Sequence, residues 1–356
     1  MNVEPTKPRH LPIREDWLAL REEAALEPAL PIIDAHHHLW DKPAARYMRS
    51  EMEVDIRGGH NVVATIFVEG KWGYRQSGAP ELASLGETEL AAEAAAESEA
   101  TGKRAPKIAA GIVGYVDLAL GARCGDILDR HVEAAGGRFC GVRNTSAWHP
   151  DPQARGSVLT PPKDLLYDSG FRAGFAELVR RNLVFDAWMY HTQLNELVDL
   201  ARCFPEASIV LNHIGGPIGI GPYAGRRAEV FSVWREGMRE VAELENVKVK
   251  LGGLGMTMAG FDFQDRPLPP ASDDLMRAWG PYFETCIELF GAKRCMFESN
   301  FPVDKGTASY NVIWNAFKKI SRQYSESERM ALFYENARRT YSLHLPKGEA
   351  LGSDCS

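Results

Sequence analysis

The feature that most constrains the fold is an eightfold alternation of short apolar runs with helical segments. Each run is rich in valine, isoleucine, leucine, phenylalanine or alanine and ends in polar, glycine or proline residues, which is typical of strands buried on both faces of a parallel sheet. The runs span residues 31–38, 62–70, 107–116, 138–146, 183–191, 208–216, 247–254 and 294–302. Amphipathic spacing predicts helices between them, among them 226–244, 272–290 and 308–320, and Ser325 with Glu328 predicts a capping box for a last helix.

This alternation predicts an α/β fold, a (β/α)8 TIM barrel with an N-terminal extension. The extension would span residues 1–30, the catalytic barrel 31–345 and a C-terminal tail 346–356. The main rival is an open doubly wound sheet, which usually carries a glycine-rich phosphate loop after an early strand. No G-x-G-x-x-G motif follows any predicted strand, and the first strand ends in three histidines instead, so the barrel is favoured.

Charge and composition narrow the class of partner. The formal net charge of −7 argues against a nucleic-acid-binding protein, because there is no surplus of basic residues to meet a phosphate backbone. No apolar run approaches the ~20 residues of a membrane span, the N-terminus lacks an apolar signal core, and the six cysteines are scattered. We therefore expect a cytoplasmic protein with a small-molecule substrate, without a nucleic-acid or membrane partner; a monomer and a homo-oligomer are both compatible with the sequence.

Polar side chains stand where the predicted strands end, which in a barrel is the face that carries the chemistry. The residues in question are His36, His37, His38, Glu69, Lys71, Arg143, Asn144, Asp186, His191, Asn212, His213, Lys250, Glu298, Asn300 and Asp304. Packing alone would not place such groups at the ends of eight apolar strands, so we expect a functional site there.

The triple histidine suggests a metal site. Because strand side chains alternate, His36 and His38 point to one side and His37 to the other. Two imidazoles on one side can chelate a divalent metal, and zinc accepts two histidines and a carboxylate with one open water position. A third ligand must come from another strand, and the sequence offers Glu298, His213, His191 or Asp186. The alternative is that His36 and His38 are structural or bind substrate directly.

Two basic residues within predicted strands need anionic partners, because a buried cation is costly without one. For Arg143 the partner is either a substrate carboxylate, held bidentately, or an internal carboxylate such as Glu69. Lys250 is either a second contact to a substrate anion or one half of an internal ion pair. We assign Arg143, Lys250 and Glu69 to substrate binding on this basis, and we add Asn300 to the substrate-binding residues.

The acid–base candidates are His213, Glu298 and Asp304. His213 is a metal ligand, a general base, or a core histidine bonded to backbone. Glu298 serves as base or ligand if its side chain points into the barrel, whereas Asn300, on the same face, cannot be a base. Asp304 lies on the following loop, where it either swings over the site or caps the next helix, and we keep it as the reserve carboxylate.

Six motifs in order resemble the amidohydrolase-2 family of the amidohydrolase superfamily. They are IIDAHHHLWD, CGVRN, FDAWMYHTQL, IVLNHIGGP, VKLGGL and CMFESNFPVD, and the resemblance covers residues 31 to about 342. The likeness is strongest to the branch that includes 2-pyrone-4,6-dicarboxylate lactonase and sugar lactonases. It implies a TIM barrel that directs water onto a lactone or related carbonyl, with or without a bound metal.

Carried over by position, the resemblance makes His36 and His38 the strand-1 pair, His213 the strand-6 histidine and Arg143 the arginine that meets a substrate carboxylate. The family's usual strand-8 aspartate, which activates the water, is replaced here by Asn300. Because an asparagine cannot be the base, Glu298 or Asp304 becomes the candidate. No lysine ends strand 4, so a binuclear centre on a carbamylated lysine is not expected.

We therefore predict a hydrolase that opens a lactone or similar activated ester of a small anionic molecule. His213, Glu298 and Asp304 are the catalytic candidates, and His36, His38 and Glu298 are the candidate ligands of a divalent metal, with zinc preferred. One alternative is a metal-dependent nonoxidative decarboxylase, which the same family contains. The other is a non-catalytic barrel that binds a small molecule.

Overall fold

The structure is a computed structural model that describes residues 10–345, apart from residue 44 and the pairs 103–104 and 157–158. The described strands are β1 (Pro31–His37), β2 (Trp40–Lys42), β3 (Ala45–Tyr47), β4 (Asn61–Val68), β5 (Lys107–Gly114), β6 (Phe139–Arg143), β7 (Val184–Ala187), β8 (Ile209–Leu211), β9 (Val247–Leu251) and β10 (Cys295–Phe297). The described helices are α1 (Glu15–Leu18), α2 (Arg49–Ile56), α3 (Leu85–Ala100), α4 (Cys124–Ala134), α5 (Ser169–Arg180), α6 (Leu194–Cys203), α7 (Arg227–Ala242), α8 (Ser272–Phe290), α9 (Tyr310–Ile320), α10 (Glu326–Met330) and α11 (Asn336–Thr340).

Eight strands form one parallel sheet in the order of the chain, from β1 through β4 to β10. The strands β2 and β3 form a separate antiparallel hairpin after β1. The first and last strands of the sheet meet, which closes it into a barrel. At this junction His37 forms a parallel bridge with Phe301 beyond β10, and the His38 amide donates to the Phe301 carbonyl at 2.7 Å. Each predicted run contains one barrel strand, so the predicted (β/α)8 barrel is confirmed.

Two apolar layers hold the barrel together. The outer layer packs strand residues such as Phe67 and Leu251 against the surrounding helices. The inner layer fills the barrel with residues such as Ile33 and Val210, and Tyr341 from the C-terminal segment joins it from below. The inner face is therefore packed except at the carboxyl ends of the strands, where the polar residues begin.

The helices follow the predicted patterns closely. The predicted helix 272–290 coincides with α8, and those at 226–244 and 308–320 correspond to α7 and α9 within two residues at each end. At α10 the Ser325 hydroxyl accepts the Glu328 amide while the Glu328 carboxylate accepts the Ser325 amide, which confirms the predicted capping box. Among the described residues, no helix combines the length and the apolar character that crossing a bilayer demands.

The described part of the N-terminal extension, residues 10–30, packs on the barrel. The Lys318 ammonium on α9 donates to the carbonyls of Leu26 (2.7 Å) and Glu27 (2.9 Å). Nearer the N-terminus, the Arg14 guanidinium donates to the Gln264 carbonyl at 2.7 Å. The extension therefore contacts the outer helix α9 near its C-terminal end and the loop before α8 nearer its N-terminal end. Residues 1–9 and the predicted tail, 346–356, lie outside the described residues.

Candidate active site

A bulge in β1 aims the histidines into the barrel. Ile33 belongs to the inner layer, so strict alternation would turn His36 outward. Asp34 pairs with Thr65 of β4 but His37 pairs with Phe67, so β1 contains one residue more than β4 over this stretch. The extra residue resets the alternation, and His36 and His38 turn inward.

His36 and His38 lie together as the alternation predicted. Their Nε2 atoms are 3.2 Å apart, and the Nδ1 atom of His38 lies 2.7 Å from the Val68 carbonyl oxygen. That carbonyl can only accept, so it fixes the proton on Nδ1 and leaves Nε2 as the acceptor. His37 faces the opposite side, where its Nε2 atom is 2.8 Å from the Thr65 hydroxyl.

Glu298 joins His36 and His213 beneath the mouth of the barrel. Its Oε1 atom lies 2.6 Å from Nδ1 of His213 and accepts the His213 amide at 3.2 Å, and its Oε2 atom lies 2.9 Å from Nδ1 of His36. All three residues are buried. The distance between Oε2 and His36 Nδ1 is short, but its angle is not that of a hydrogen bond, so both atoms remain without a hydrogen-bond partner.

This group fits a divalent metal. One donor atom each from His36, His213 and Glu298 lies within 4.8 Å of the others, and two imidazoles with one carboxylate are a common zinc donor set. Burial lowers the pKa of His36 well below its usual value, and Lys250 adds to the effect. A neutral imidazole is the form that binds metals. His38 is not in this group of three, although its Nε2 atom adjoins that of His36.

Two glycines after β9 make room for this group. A Cβ atom on Gly252 would lie 2.4 Å from Cγ of Glu298, and one on Gly253 would lie 2.5 Å from Nδ1 of His213. Gly253 also has a φ of +73°, a conformation that favours glycine. The VKLGGL motif therefore provides space for the two site residues rather than side chains of its own.

Arg143 pairs with Glu69, one of the two partners that the sequence offered. Its Nε atom donates to Oε1 of Glu69 at 2.8 Å, and a terminal nitrogen donates to the Glu69 carbonyl. Its other terminal nitrogen lies 3.3 Å from Nε2 of His36. Oε2 of Glu69 is buried without a hydrogen-bond partner. The pair thus presents a positive group beside His36 and an unused acceptor.

Asp304 contacts Asn300 rather than the histidines. The Asn300 side-chain amide donates to Oδ1 of Asp304 at 2.8 Å, and the Gly255 amide donates to Oδ2 at 3.0 Å. Burial raises the pKa of Asp304 to about 8, and the nearby Glu298 contributes to the rise. A carboxyl group that holds its proton near neutral pH is poorly suited to be the base.

Lys250 and Asp186 form a buried ion pair below the site. The Lys250 ammonium is 2.6 Å from Oδ2 of Asp186, which also accepts from the Asn212 side chain. Oδ1 of Asp186 accepts the Tyr341 hydroxyl at 2.8 Å. These contacts match the internal ion pair that we weighed for Lys250, and neither residue lines the cavity described next. His191 lies elsewhere, with its Nδ1 atom accepting the Ile218 amide at 3.3 Å.

A cavity of about 250 Å³ opens above the histidines. Its lining is His10, His38, Trp40, Lys42, Glu69, Gly70, Lys71, Arg143, Thr145, Gly156, Leu159, Trp188, His213, Met256, Asn300 and Val303. Of the predicted site residues it brings together His38, Glu69, Arg143, His213 and Asn300, while His36, Glu298 and Asp304 are not in its lining. The site therefore has a wall that faces ligand and a buried layer behind it.

Several residues of that wall had no role in the sequence-based prediction. Trp40 and Lys42 closely follow the first barrel strand, so the strand-end rule that named Lys71 could have found them as well. His10 comes from the N-terminal extension, and its ring lies 5.5 Å from that of Trp40. Nothing in the sequence around His10 indicates that it lines the cavity.

Comparison with known proteins agrees with this architecture. A family model described as amidohydrolase matches residues 33–343. The protein y4mH of Sinorhizobium fredii is 39% identical over 65% of this chain and 69% of its own length. The L-fucono-1,5-lactonase of Burkholderia multivorans is 28% identical over 67% of this chain and 73% of its own. A crystal structure of an amidohydrolase from Burkholderia multivorans with bound zinc, 24% identical, superimposes with a TM-score of 0.66 over 88% of this chain and 99% of that chain.

Proposed function

The chain belongs to the amidohydrolase family, and from this premise we propose that it hydrolyses a lactone, or a similarly activated ester, of a small anionic molecule. The observation that carries the proposal is the bond between His213 and Glu298 at the base of a cavity that Arg143 also lines. The similarity to an L-fucono-1,5-lactonase supports the same reaction class. The cavity is small, which suits a single ring rather than a polymer.

In this proposal His213 and Glu298 act as one acid–base unit. Glu298 accepts the Nδ1 proton of His213, so Nε2 of the ring is left as an acceptor. Nε2 would take a proton from the attacking water as its oxygen bonds to the lactone carbonyl carbon. When the ring C–O bond breaks, the same proton passes to the departing oxygen, and the product is a hydroxy acid.

Arg143 would orient the substrate and stabilise the charge that develops on the carbonyl oxygen. Its guanidinium is already fixed by Glu69, so it need not reorganise when the substrate binds. A well-placed donor of this kind contributes about 3 kcal/mol to the transition state. Asn300, which lines the cavity and is held by Asp304, would supply a further polar contact to the substrate.

A zinc ion is the proposed metal, with His36, His213 and Glu298 as its ligands and His38 beside them. When bound, zinc would polarise the carbonyl and lower the pKa of a water molecule to about 7. In that state His213 would serve as a ligand and not as the base. The activity of chelator-treated protein decides between these two roles, since only the metal-free mechanism keeps full turnover without zinc.

The reaction is tested with a panel of lactones in water enriched in ¹⁸O. We expect one labelled oxygen in the carboxylate of each hydroxy acid produced, and loss of turnover in His213→Asn. Release of CO₂ without incorporation of label would identify a decarboxylase and reject hydrolysis. Binding of the panel without turnover, in zinc-loaded and in metal-free protein, would leave only the non-catalytic barrel.

A further inference from the structure

Two lysines line the cavity on the side of the first two barrel strands. Lys42 lies at the end of β2, just after β1, and Lys71 follows β4 by three residues. His213, in contrast, follows β8, and Glu298 follows β10. The two lysines thus enter the cavity from segments that follow the adjacent barrel strands β1 and β4, whereas the acid–base unit follows β8 and β10.

Neither lysine is neutralised by a carboxylate. Among the described side chains, no carboxylate oxygen lies within ion-pair distance of either ammonium. The nearby Glu69 directs Oε1 to Arg143. The nearby Glu87 directs Oε1 to the amides of Gly70 (2.7 Å) and Trp72 (3.0 Å), on either side of Lys71.

Aromatic rings and backbone hold the two ammonium groups in place. Lys42 lies 3.6 Å above the ring of Trp40 and donates to the Gly70 carbonyl at 3.0 Å. Lys71 lies 4.1 Å above the ring of Tyr115. Its φ of +58° is a conformation that a lysine rarely adopts. These contacts position the charges without cancelling them, so N–H donors remain for a ligand.

The lining as a whole carries a surplus of positive charge. Among the described residues of the lining, Lys42, Lys71 and Arg143 are accompanied by one carboxylate, Glu69. Glu87 and Asp117 are near the lysines but outside the lining. Both lysines are partly buried, so a bound anion would interact with them more strongly than it would in open solvent. A neutral polyol would leave both ammonium groups without a counter-charge.

We propose that Lys42 and Lys71 form an anion subsite that binds a carboxylate of the substrate away from its scissile bond. This subsite rests on the proposed lactone hydrolysis, because the bound carboxylate belongs to a substrate only if that reaction takes place. It predicts that the true substrate is a lactone bearing at least one such carboxylate, and that the ring-opened product has at least two. A neutral sugar lactone would be a poorer substrate.

The subsite is tested by the binding of straight-chain dicarboxylates, from malonate to adipate, measured by calorimetry. Butyrate is the matched monocarboxylate for glutarate. Lys42→Met and Lys71→Met remove the charges, and Lys42→Arg and Lys71→Arg restore them. Lys107→Met is the control, because Lys107 begins β5 at the opposite end of the barrel. Thermal unfolding of each variant confirms that it is folded.

We expect the best dicarboxylate to bind at least tenfold more tightly than its monocarboxylate. Each methionine variant should lose at least tenfold in affinity for the dicarboxylate, each arginine variant should keep most of that affinity, and Lys107→Met should keep all of it. Chelation of a bound metal would not depend on the lysines, so the variants separate the two kinds of binding. Equal binding of mono- and dicarboxylates by the wild type, or dicarboxylate binding that both methionine variants retain in full, would overturn the subsite.

The subsite and the reaction can fail separately. If neutral lactones are hydrolysed as well as carboxylated ones and the lysine variants keep full kcat/KM, the subsite is wrong and the reaction stands. If dicarboxylates bind in a lysine-dependent way but no lactone is opened, the subsite stands and the proposed reaction is wrong.

Discussion

Glu298 accepts the Nδ1 proton of His213 at 2.6 Å, and both residues are buried. The same carboxylate oxygen accepts the His213 backbone amide at 3.2 Å, so the ring and its backbone are held by one atom. His213 has a φ of +52°, which is uncommon for a residue with a side chain. The carboxylate therefore determines where the imidazole points as well as which nitrogen carries the proton.

Replacement of Glu298 by glutamine tests this relationship. Glutamine keeps the size of the side chain but removes the charge that supports a protonated His213. We expect kcat/KM for lactone hydrolysis to fall roughly 100-fold or more, because positioned acid–base groups contribute about that much. The matched control is Glu196→Gln, a buried carboxylate on α6 that lies outside the cavity lining. Full turnover in Glu298→Gln would contradict the assigned unit.

Gly253→Ala tests the space beside His213. The new methyl group would lie 2.5 Å from Nδ1 of His213, and alanine would also be strained at a φ of +73°. Gly225→Ala is the matched control, because its φ is +74° but no atom lies within 4 Å of the added Cβ. We expect the control to cost about 1 kcal/mol of unfolding free energy and to keep its activity. Gly253→Ala should cost more and lose most of its turnover; equal behaviour of the two variants in urea denaturation and kinetics would contradict this.

The fold was predictable because buried parallel strands leave a local signal. Each of the eight apolar runs contains a barrel strand, and the absence of a phosphate loop favoured the closed barrel over the open sheet. His36, His38 and His213 could be predicted to meet because residues at the carboxyl ends of barrel strands share one face. The bulge between Asp34 and His37, which sets their direction, has no mark in the sequence, since it depends on the pairing of β1 with β4.

The separation of the site into two layers could not be predicted. Lys250 and Arg143 are both cations in strands, but only the geometry shows that Lys250 meets Asp186 below the site while Arg143 reaches the cavity. His10 is distant in sequence from every barrel strand, and its place depends on where the N-terminal extension crosses the mouth. Asp304 was considered as a base, yet its place behind Asn300 arises from the turn that follows β10.

Zinc binding is expected at one equivalent per chain. Chelator-treated protein titrated with zinc should gain a few degrees in thermal midpoint, because a ligand that binds only the folded state stabilises it. Metal content after gel filtration should fall severalfold in His36→Asn. It should not change in His131→Asn, a buried histidine on α4 that bonds to Thr88. Zinc content that is the same in His36→Asn and wild type would place any zinc elsewhere.

Asp304 should make stability depend on pH. Burial raises its pKa in the folded protein to about 8, whereas the unfolded value is near 3.8, so the folded state holds the proton more tightly. The stabilisation is complete below about pH 4 and is lost as the pH rises toward 8. Asp304→Asn lacks this loss, so its free energy of unfolding relative to wild type should rise by more than ~1 kcal/mol between pH 5 and pH 8. A constant difference in urea denaturation would show that Asp304 is ionised throughout this range.

Lys42 should make the binding of anions depend on pH above about pH 8. Burial lowers the pKa of Lys42 to about 8; Glu87 and Glu69 oppose the fall and Arg143 adds to it. The ammonium is therefore present below that pH and is lost above it. If the ammonium is needed for binding, the affinity for a dicarboxylate should be nearly constant from pH 6 to 7. It should then fall about tenfold for each unit above pH 8.

Lys42→Arg provides the comparison for this pH dependence, because a guanidinium stays charged up to about pH 12. Binding to this variant should fall less steeply above pH 8. A remaining slope is expected from Lys71, whose pKa burial also lowers. Calorimetry of the same dicarboxylate at pH 7, 8 and 9 measures both slopes. Equally steep loss in wild type and Lys42→Arg would mean that another group controls the titration and that Lys42 does not hold the anion.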